Sequence, residues 1–556
     1  MDRREFLSAT RKKNKISAPS APVGRTSSGL NPYTGPWTAN EVAHLLKRTM
    51  FGATKADIVY FSGRSMSQAV DELLNPVAPM PAPPLKEYTP TGATTPDTNI
   101  AMGTTWVNDP NADGNVNNSR KDSLKSWWMG VMLSQDRSIR EKLTLFWHNH
   151  FSTQTETVAN AALLYKHYNL LRTNCLGNFK SLVRAITIDP NMLDYLNGQL
   201  NTKGAPDENY ARELQELFTI GKENNPNYTE ADVQTAARVL TGWRIDTATL
   251  SSYFDLSKHD TQDKTFSSFY SGTTITGQSG ANAGDLELDA LMDMIFSKGP
   301  EVSTFIVRKI YRWFVYYDID AAAEANVIAP LAALFQSNNW DIKPVLDALF
   351  KSEHFFDVLN QGCLIKSPVD FAIGLCREFQ IQFPDSSDPS KQYGMWDFIL
   401  NWVRVLQQDV GDPPNVSGWP AYYQIPMFHE IWINSDTYPK RNQFSDTLVY
   451  LGYTRAGQTL IIDPVAFTKT LTNPGDPNVL IDEALGVLYR IPFSQAAKNQ
   501  VKTDILLSGQ TNDYYWTNAW NAYIANPSDM MALQAVYTRL RDLYKYFMNL
   551  AEYHLS

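Results

Sequence analysis

Cysteine is nearly missing from this chain. Its three residues, Cys175, Cys363 and Cys376, are far apart and odd in number, which excludes a disulfide framework and a zinc ribbon. At most one pair can close, and Cys363 with Cys376 is the candidate. No apolar run reaches the ~18 residues needed to span a bilayer, so no membrane span is expected. Positive charge is also short. With 49 Lys and Arg against 58 Asp and Glu, the formal net charge is -9, and the basic footprint that phosphate backbones require is absent; nucleic acid is not an expected partner. There is no Gly-x-Ser-x-Gly elbow, phosphate loop, His-Glu-x-x-His, Cys-x-x-Cys pair or Rossmann glycine run. Neither a nucleotide nor haem is therefore expected as cofactor.

What is abundant is core material. Hydrophobic residues make up 43% of the 556 and aromatics 12%, with 14 Trp and 27 Tyr, ample for an extensive interior. Residues 1 to 36 carry scattered Lys and Arg with four prolines and no hydrophobic period, which predicts a basic arm, flexible or surface-bound. Its start, Arg3-Arg4-Glu5-Phe6-Leu7, is similar to a twin-arginine export motif, but Arg11, Lys12, Lys13 and Lys15 occupy the place of the apolar export core. The body begins at Thr38, where Thr38 and Glu41 form a capping box ahead of Val42, Leu45 and Leu46 at helical spacing.

A loop rich in Pro, Thr, Asn and Gly follows from Pro76 to Asn118. Helical periodicity then dominates, with helices predicted near 155–173, 177–188, 207–221 and 229–242 and again over most of the chain from Leu286 onward. Thr229 with Asp232 marks another helix start. Between about 244 and 284 the composition shifts to Thr, Ser, Gly and aromatics, and Thr273 to Thr276 is the best short strand. The reading is a mainly α protein: a large multi-helix globular body over 37–425 with an irregular insert at about 244–284, and a helical region over 426–556 packed on it. Strands are expected only within the insert.

Three places could carry chemistry. In Leu145-Phe146-Trp147-His148-Asn149-His150-Phe151, two histidines one residue apart share a face on a strand but lie roughly 200° apart on a helix. A shared ion therefore requires the helix to end before His148. In Asp207 to Phe218, a helix places Tyr210, Leu214, Leu217 and Phe218 on a core stripe and Asn209, Glu213 and Glu216 on its flank. Such carboxylates suit a cation or acid and base work, while Glu208, Arg212 and Glu216 at intervals of four also read as surface ion pairs. The third place is His259-Asp260 with Lys264 in the irregular segment. Separately, Asp109, Asn111 and Asp113 before Gly114 match the first half of a calcium loop, although Arg120 stands where a bidentate glutamate is needed; a plain Asx-turn loop is the alternative.

Together these motifs resemble the bacterial domain-of-unknown-function family numbered 1800. The matching stretches are His44 to Arg48 with Phe51-Gly52, Arg140-Glu141-Lys142, Trp147 to Phe151, Glu208 to Glu213, Ala236 to Trp243, His259-Asp260 with Lys264, Lys366 to Val369, and Pro413 to Trp419. The resemblance implies a bacterial protein of a family often bearing export signals and often encoded beside alkaline-phosphatase-like or sulfatase-like proteins, which makes such a protein the expected partner. It implies no activity. A periplasmic or envelope location is the expectation, with the cytoplasm as the alternative because the apolar export core is lacking.

The functional expectation is a metal-assisted hydrolase of a polar or anionic substrate. His148, His150 and Glu213 would hold a divalent ion, Glu216 and His259 would complete the catalytic group, and Asn209, Arg212, Asp260 and Lys264 would position substrate. The competing expectation is a non-catalytic helical scaffold or binding protein. Convergence of the histidines with Glu213 and His259 in one pocket would favour the enzyme; dispersal would favour the scaffold.

Overall fold

The computed structural model describes residues 26–93, 97–222 and 228–556. It is 57% helical and 5% strand, the mainly α architecture that the periodicity predicts. The helices that carry the argument are α1 (Ala39–Thr49), α2 (Gly114–Leu133), α3 (Arg140–His150), α4 (Ala161–Asn174), α5 (Glu230–Val239), α6 (Ala283–Phe296), α7 (Gly299–Phe314), α8 (Pro368–Glu378), α9 (Pro389–Val405), α10 (Pro477–Leu488) and α11 (Met530–Asn549). The predicted capping box and the second predicted helix start both form: Thr38 with Glu41 opens α1 and Thr229 with Asp232, also a capping box, opens α5, each satisfying amides that the first helical turn leaves unpaired.

One contiguous hydrophobic core runs from Val42 to Tyr553, so the region after 425 shares its interior with the rest. α3 is the innermost helix, and every one of its residues is buried, charged ones included. Those charges are paired. Arg172 of α4 makes a two-pronged contact with Glu141 at 2.7 and 2.9 Å, Lys142 pairs with Asp370 of α8, and Arg140 donates to the carbonyls of Ala78 and Pro79. A buried charge without such partners would be strongly destabilising.

Three small antiparallel hairpins complete the fold. β1 (Trp243–Asp246) pairs with β2 (Ser251–Phe254) and β3 (Lys264–Thr265) with β4 (Thr274–Ile275), both inside the expected irregular insert. The third, β5 (Tyr453–Arg455) with β6 (Gln458–Leu460), lies far outside it and corrects the expectation that strands are confined there. Ala456 and Gly457 both take positive φ, 49° and 78°, the two-residue turn whose twist matches a hairpin, and Tyr453 stacks on Phe398 at 4.0 Å.

Residues 26–36 lie against the body: Ser28 donates to Asp357 at 3.0 Å, and the Tyr33 amide donates to the Lys351 carbonyl at 2.8 Å. The remainder of the expected arm, with its twin-arginine-like start, lies outside the described residues. Cys363 and Cys376 are both free thiols; Cys376 is buried in α8, and Cys363 instead contacts Arg48 and the Val315 carbonyl.

Candidate functional site

α3 continues through His150, so the two histidines diverge. His148 is fully buried among Trp128, Tyr168 and Trp419, with ring centroids 5.0 to 5.6 Å away, and neither ring nitrogen has a hydrogen-bond partner. Burial, with His167 and Lys125 nearby, holds it well below the usual histidine range. His150 faces the opposite side. Its Nε2 donates to the Phe218 carbonyl at 3.1 Å and its Nδ1 accepts from Lys309 at 3.1 Å, the pattern of a neutral ring. Burial and then Lys309 keep it neutral.

The carboxylate flank is elsewhere occupied. The expected 207–221 helix forms as Asn209–Glu213 continued by a wider π-helical turn, Leu214–Thr219. Glu213 is half-buried, and burial with Glu216 beside it raises its carboxyl; Glu216 pairs with Lys222. Arg212 bridges Glu230 at 2.8 Å and Glu208 at 3.1 Å, the surface pairing that the four-residue spacing also allows. The Asn209 side chain reaches only the Leu196 carbonyl, at 3.5 Å.

His259 has partners of its own. It is wholly buried: Nδ1 donates to the Thr241 carbonyl at 2.8 Å, and Nε2 lies 3.0 Å from Glu287 Oε1. Lys264, equally buried, lies 2.6 Å from the other Glu287 oxygen, and Asp260 pairs with Arg238 at 2.7 Å. This cluster ties the irregular segment to α6 and α5.

The calcium-like loop is likewise committed. Asp109 accepts from Arg120 at 2.7 Å, Asn111 accepts from the Asp113 amide, and Asp113 caps α2 through the amides of Asn115 and Val116. The arginine that breaks the sequence pattern at position twelve thus supplies the positive charge itself. Among the described residues, no group of three or more His, Cys, Asp or Glu side chains is placed to hold a metal ion. The convergent ligand set of His148, His150 and Glu213 does not form, because a continuous helix separates the two histidines.

A different place has the shape of a site. Two cavities of about 570 and 370 Å³ adjoin along the α2–α9 seam and share Asp122 and Arg404 in their walls. Lys125 Nζ lies 2.9 Å from Asp409 and also pairs with Asp412; Arg404 Nε lies 3.0 Å from Asp409. Further along, burial pushes the Glu87 carboxyl up to about 7, although the Ser123 hydroxyl donating to it at 2.8 Å opposes the shift.

Part of the wall of this cleft is built by Thr155 and Glu156 and by Asp409 and Asp412, in the segment that precedes the Pro413 to Trp419 motif. Thr155 donates through both its amide and its hydroxyl to the Gly411 carbonyl, at 2.9 and 2.8 Å, and the Glu156 amide donates to Asp412. Gly418 has φ +90° and sits so close to α3 that a Cβ there would lie 2.5 Å from the Asn149 carbonyl oxygen, a position only glycine tolerates. The next residue, Trp419, donates its amide to Asn149 Oδ1 at 2.8 Å and sets its ring against His148. The sequence motifs at 147–151 and 413–419 therefore meet, and neither supplies a residue that lines the cleft.

Sequence reasoning missed Glu87, Asp122, Lys125, Arg404, Asp409 and Asp412. The i, i+3 spacing of Asp122 and Lys125 and the Asp409–Asp412 pair are visible, but 284 residues separate Lys125 from Asp409. No curated protein and no solved structure matches this chain. The profile of one family does match, over residues 44–548, and covers nearly the whole body with every stretch on which the resemblance rests; the chain belongs to that family, described as a protein of unknown function, DUF1800.

Proposed function

We propose that this protein is a helical binding protein that holds a polar ligand bearing charges of both signs in the α2–α9 cleft. The observation that carries this is the pair of adjoining cavities whose walls carry charges of both signs, Lys121, Lys125 and Arg404 among Asp122, Asp409 and Asp412. Charged walls on rigid helices recognise a ligand by complementary charge, and dispersal of the histidine and carboxylate residues agrees with a scaffold. The test is binding of full-length protein to a panel of charged peptides and amino-sugar oligomers. Binding that Arg404→Glu abolishes supports the reading; ligands that bind wild type and Arg404→Glu alike overturn it.

A hydrolase is the second reading, favoured by one observation: the cleft carboxyl of Glu87 near 7 suits proton transfer at neutral pH. Loss of any hydrolytic activity in Glu87→Gln with folding intact would support it. Metal assistance at His148, His150 and Glu213 requires a rearrangement of α3, and elemental analysis of purified protein tests it directly. An alkaline-phosphatase-like or sulfatase-like partner rests on the family resemblance, and co-purification from cells producing both proteins tests it.

A further inference from the structure

Away from the cleft, a small cavity of about 30 Å³ lies among α1, α3, α7 and α8. Lys47, Arg48 and Lys142 line it, each no more than 5% exposed. Behind its wall Lys366, Arg441 and Arg490 are buried as well, and all six act on one another or on the same two carboxylates electrostatically. Those carboxylates are Asp370, paired with Lys142, and Glu378, paired with Lys47. Arg48, Lys366, Arg441 and Arg490 make no ion pair among the described residues, and Asp370, Glu378 and Glu41 act on the last three only from beyond ion-pair distance.

Their hydrogen bonds show the deficit. Arg48 spends its guanidinium on carbonyls, of Ser556 at 2.7 Å, Asn360 at 3.0 Å and Val315 at 3.3 Å, and its Nε has no partner. Arg441, wholly buried, leaves Nε and Nη1 without partners. Burial pulls the Lys47 ammonium down to about 7 even with Glu378 beside it. Uncompensated buried cations are strongly unfavourable, and the usual remedies are a counter-ion or loss of the proton. Arginine does not readily lose its proton, so a counter-ion is the remedy open to it. A carboxylate at Ser556 would supply one negative charge and still leave cations in excess.

We propose that this cavity is a binding site for a small carboxylate anion, held by Arg48 with Lys47 and Lys142. Size selects the class. A water needs roughly 10–15 Å³ of such space, so the cavity takes about two to three water-sized groups, the two oxygens of a carboxylate and at most one methyl, and is too small for a tetrahedral phosphate. Trp313 and Trp432 in the wall give an apolar surface for a short alkyl end.

The full-length protein, exchanged into a carboxylate-free buffer, is titrated with sodium formate and sodium acetate, and in parallel with sodium chloride and sodium phosphate at matched ionic strength. A saturable rise in Tm is expected with formate or acetate, about 2 °C at a hundredfold excess over Kd for a chain of this length. Chloride and phosphate should give no saturable rise. Arg48→Gln should weaken the carboxylate response at least tenfold; if that variant does not fold, Lys142→Gln serves in its place. Absence of a carboxylate-specific rise in the wild-type protein, an equal rise with phosphate, or an unchanged response in the folded variant overturns the proposal.

Discussion

Replacing Glu287 by alanine separates a structural role for His259 and Lys264 from a catalytic one. Glu287 is wholly buried and takes three donors: Lys264 Nζ at 2.6 Å, His259 Nε2 at 3.0 Å and the Gln278 amide at 2.8 Å. Alanine strands a buried ammonium that keeps only the Asp260 carbonyl, and it orphans the other two donors. Removing one partner of a buried charge pair costs about 3–5 kcal/mol, so Glu287→Ala should lose that much in denaturant unfolding followed by tryptophan fluorescence. Glu287→Gln keeps the shape and one acceptor and should lose about 2 kcal/mol, in the range of a charge-assisted hydrogen bond. Combining it with Lys264→Met removes the stranded charge as well, and the double variant should be more stable than the sum of the single losses by about 1–3 kcal/mol. Amide exchange should quicken across 255–278 first, since that segment is what the cluster pins to α6. Losses below about 0.5 kcal/mol for Glu287→Ala, or additive losses in the pair, would refute the structural assignment.

Four further outcomes follow from the same geometry. His148→Leu removes two unpartnered ring nitrogens from an aromatic cage and should be neutral or stabilising by up to about 1–3 kcal/mol; loss of bound metal or of function with stability kept would return His148 to a site. Gly418→Ala forces a φ of +90° and a Cβ onto the Asn149 carbonyl and should cost about 2 kcal/mol or more in chemical denaturation. Glu87 has a native carboxyl near 7 against an ordinary 4.5, so between those values the native state holds the extra proton and stability falls as pH rises; Glu87→Gln should flatten that slope in unfolding midpoints measured from pH 4.5 to 7. Lys125→Met leaves Asp409 and Asp412 without one shared cation, and its expected signature is weakened ligand binding in the cleft with the helical far-ultraviolet spectrum kept.

Local pattern alone determined much of this protein. Helix class follows from apolar residues three and four apart, helix starts from Thr38 with Glu41 and Thr229 with Asp232, and the divergence of His148 and His150 from the 100° turn per residue once the helix continues. The Arg212–Glu208 pair was equally legible, because both residues lie on one helical turn. The hairpin at Tyr453–Leu460 escaped notice because each strand is three residues long, too short for an alternating pattern to stand out. Only the tertiary structure decided the partners of the charges. Glu141 finds Arg172 across 31 residues, Lys142 finds Asp370 across 228 and Lys125 finds Asp409 across 284. Periodicity tells which face of a helix is buried but carries no information about which distant side chain meets it there. A Coulomb partner is chosen by distance in space, and that distance is set by the packing of the whole core.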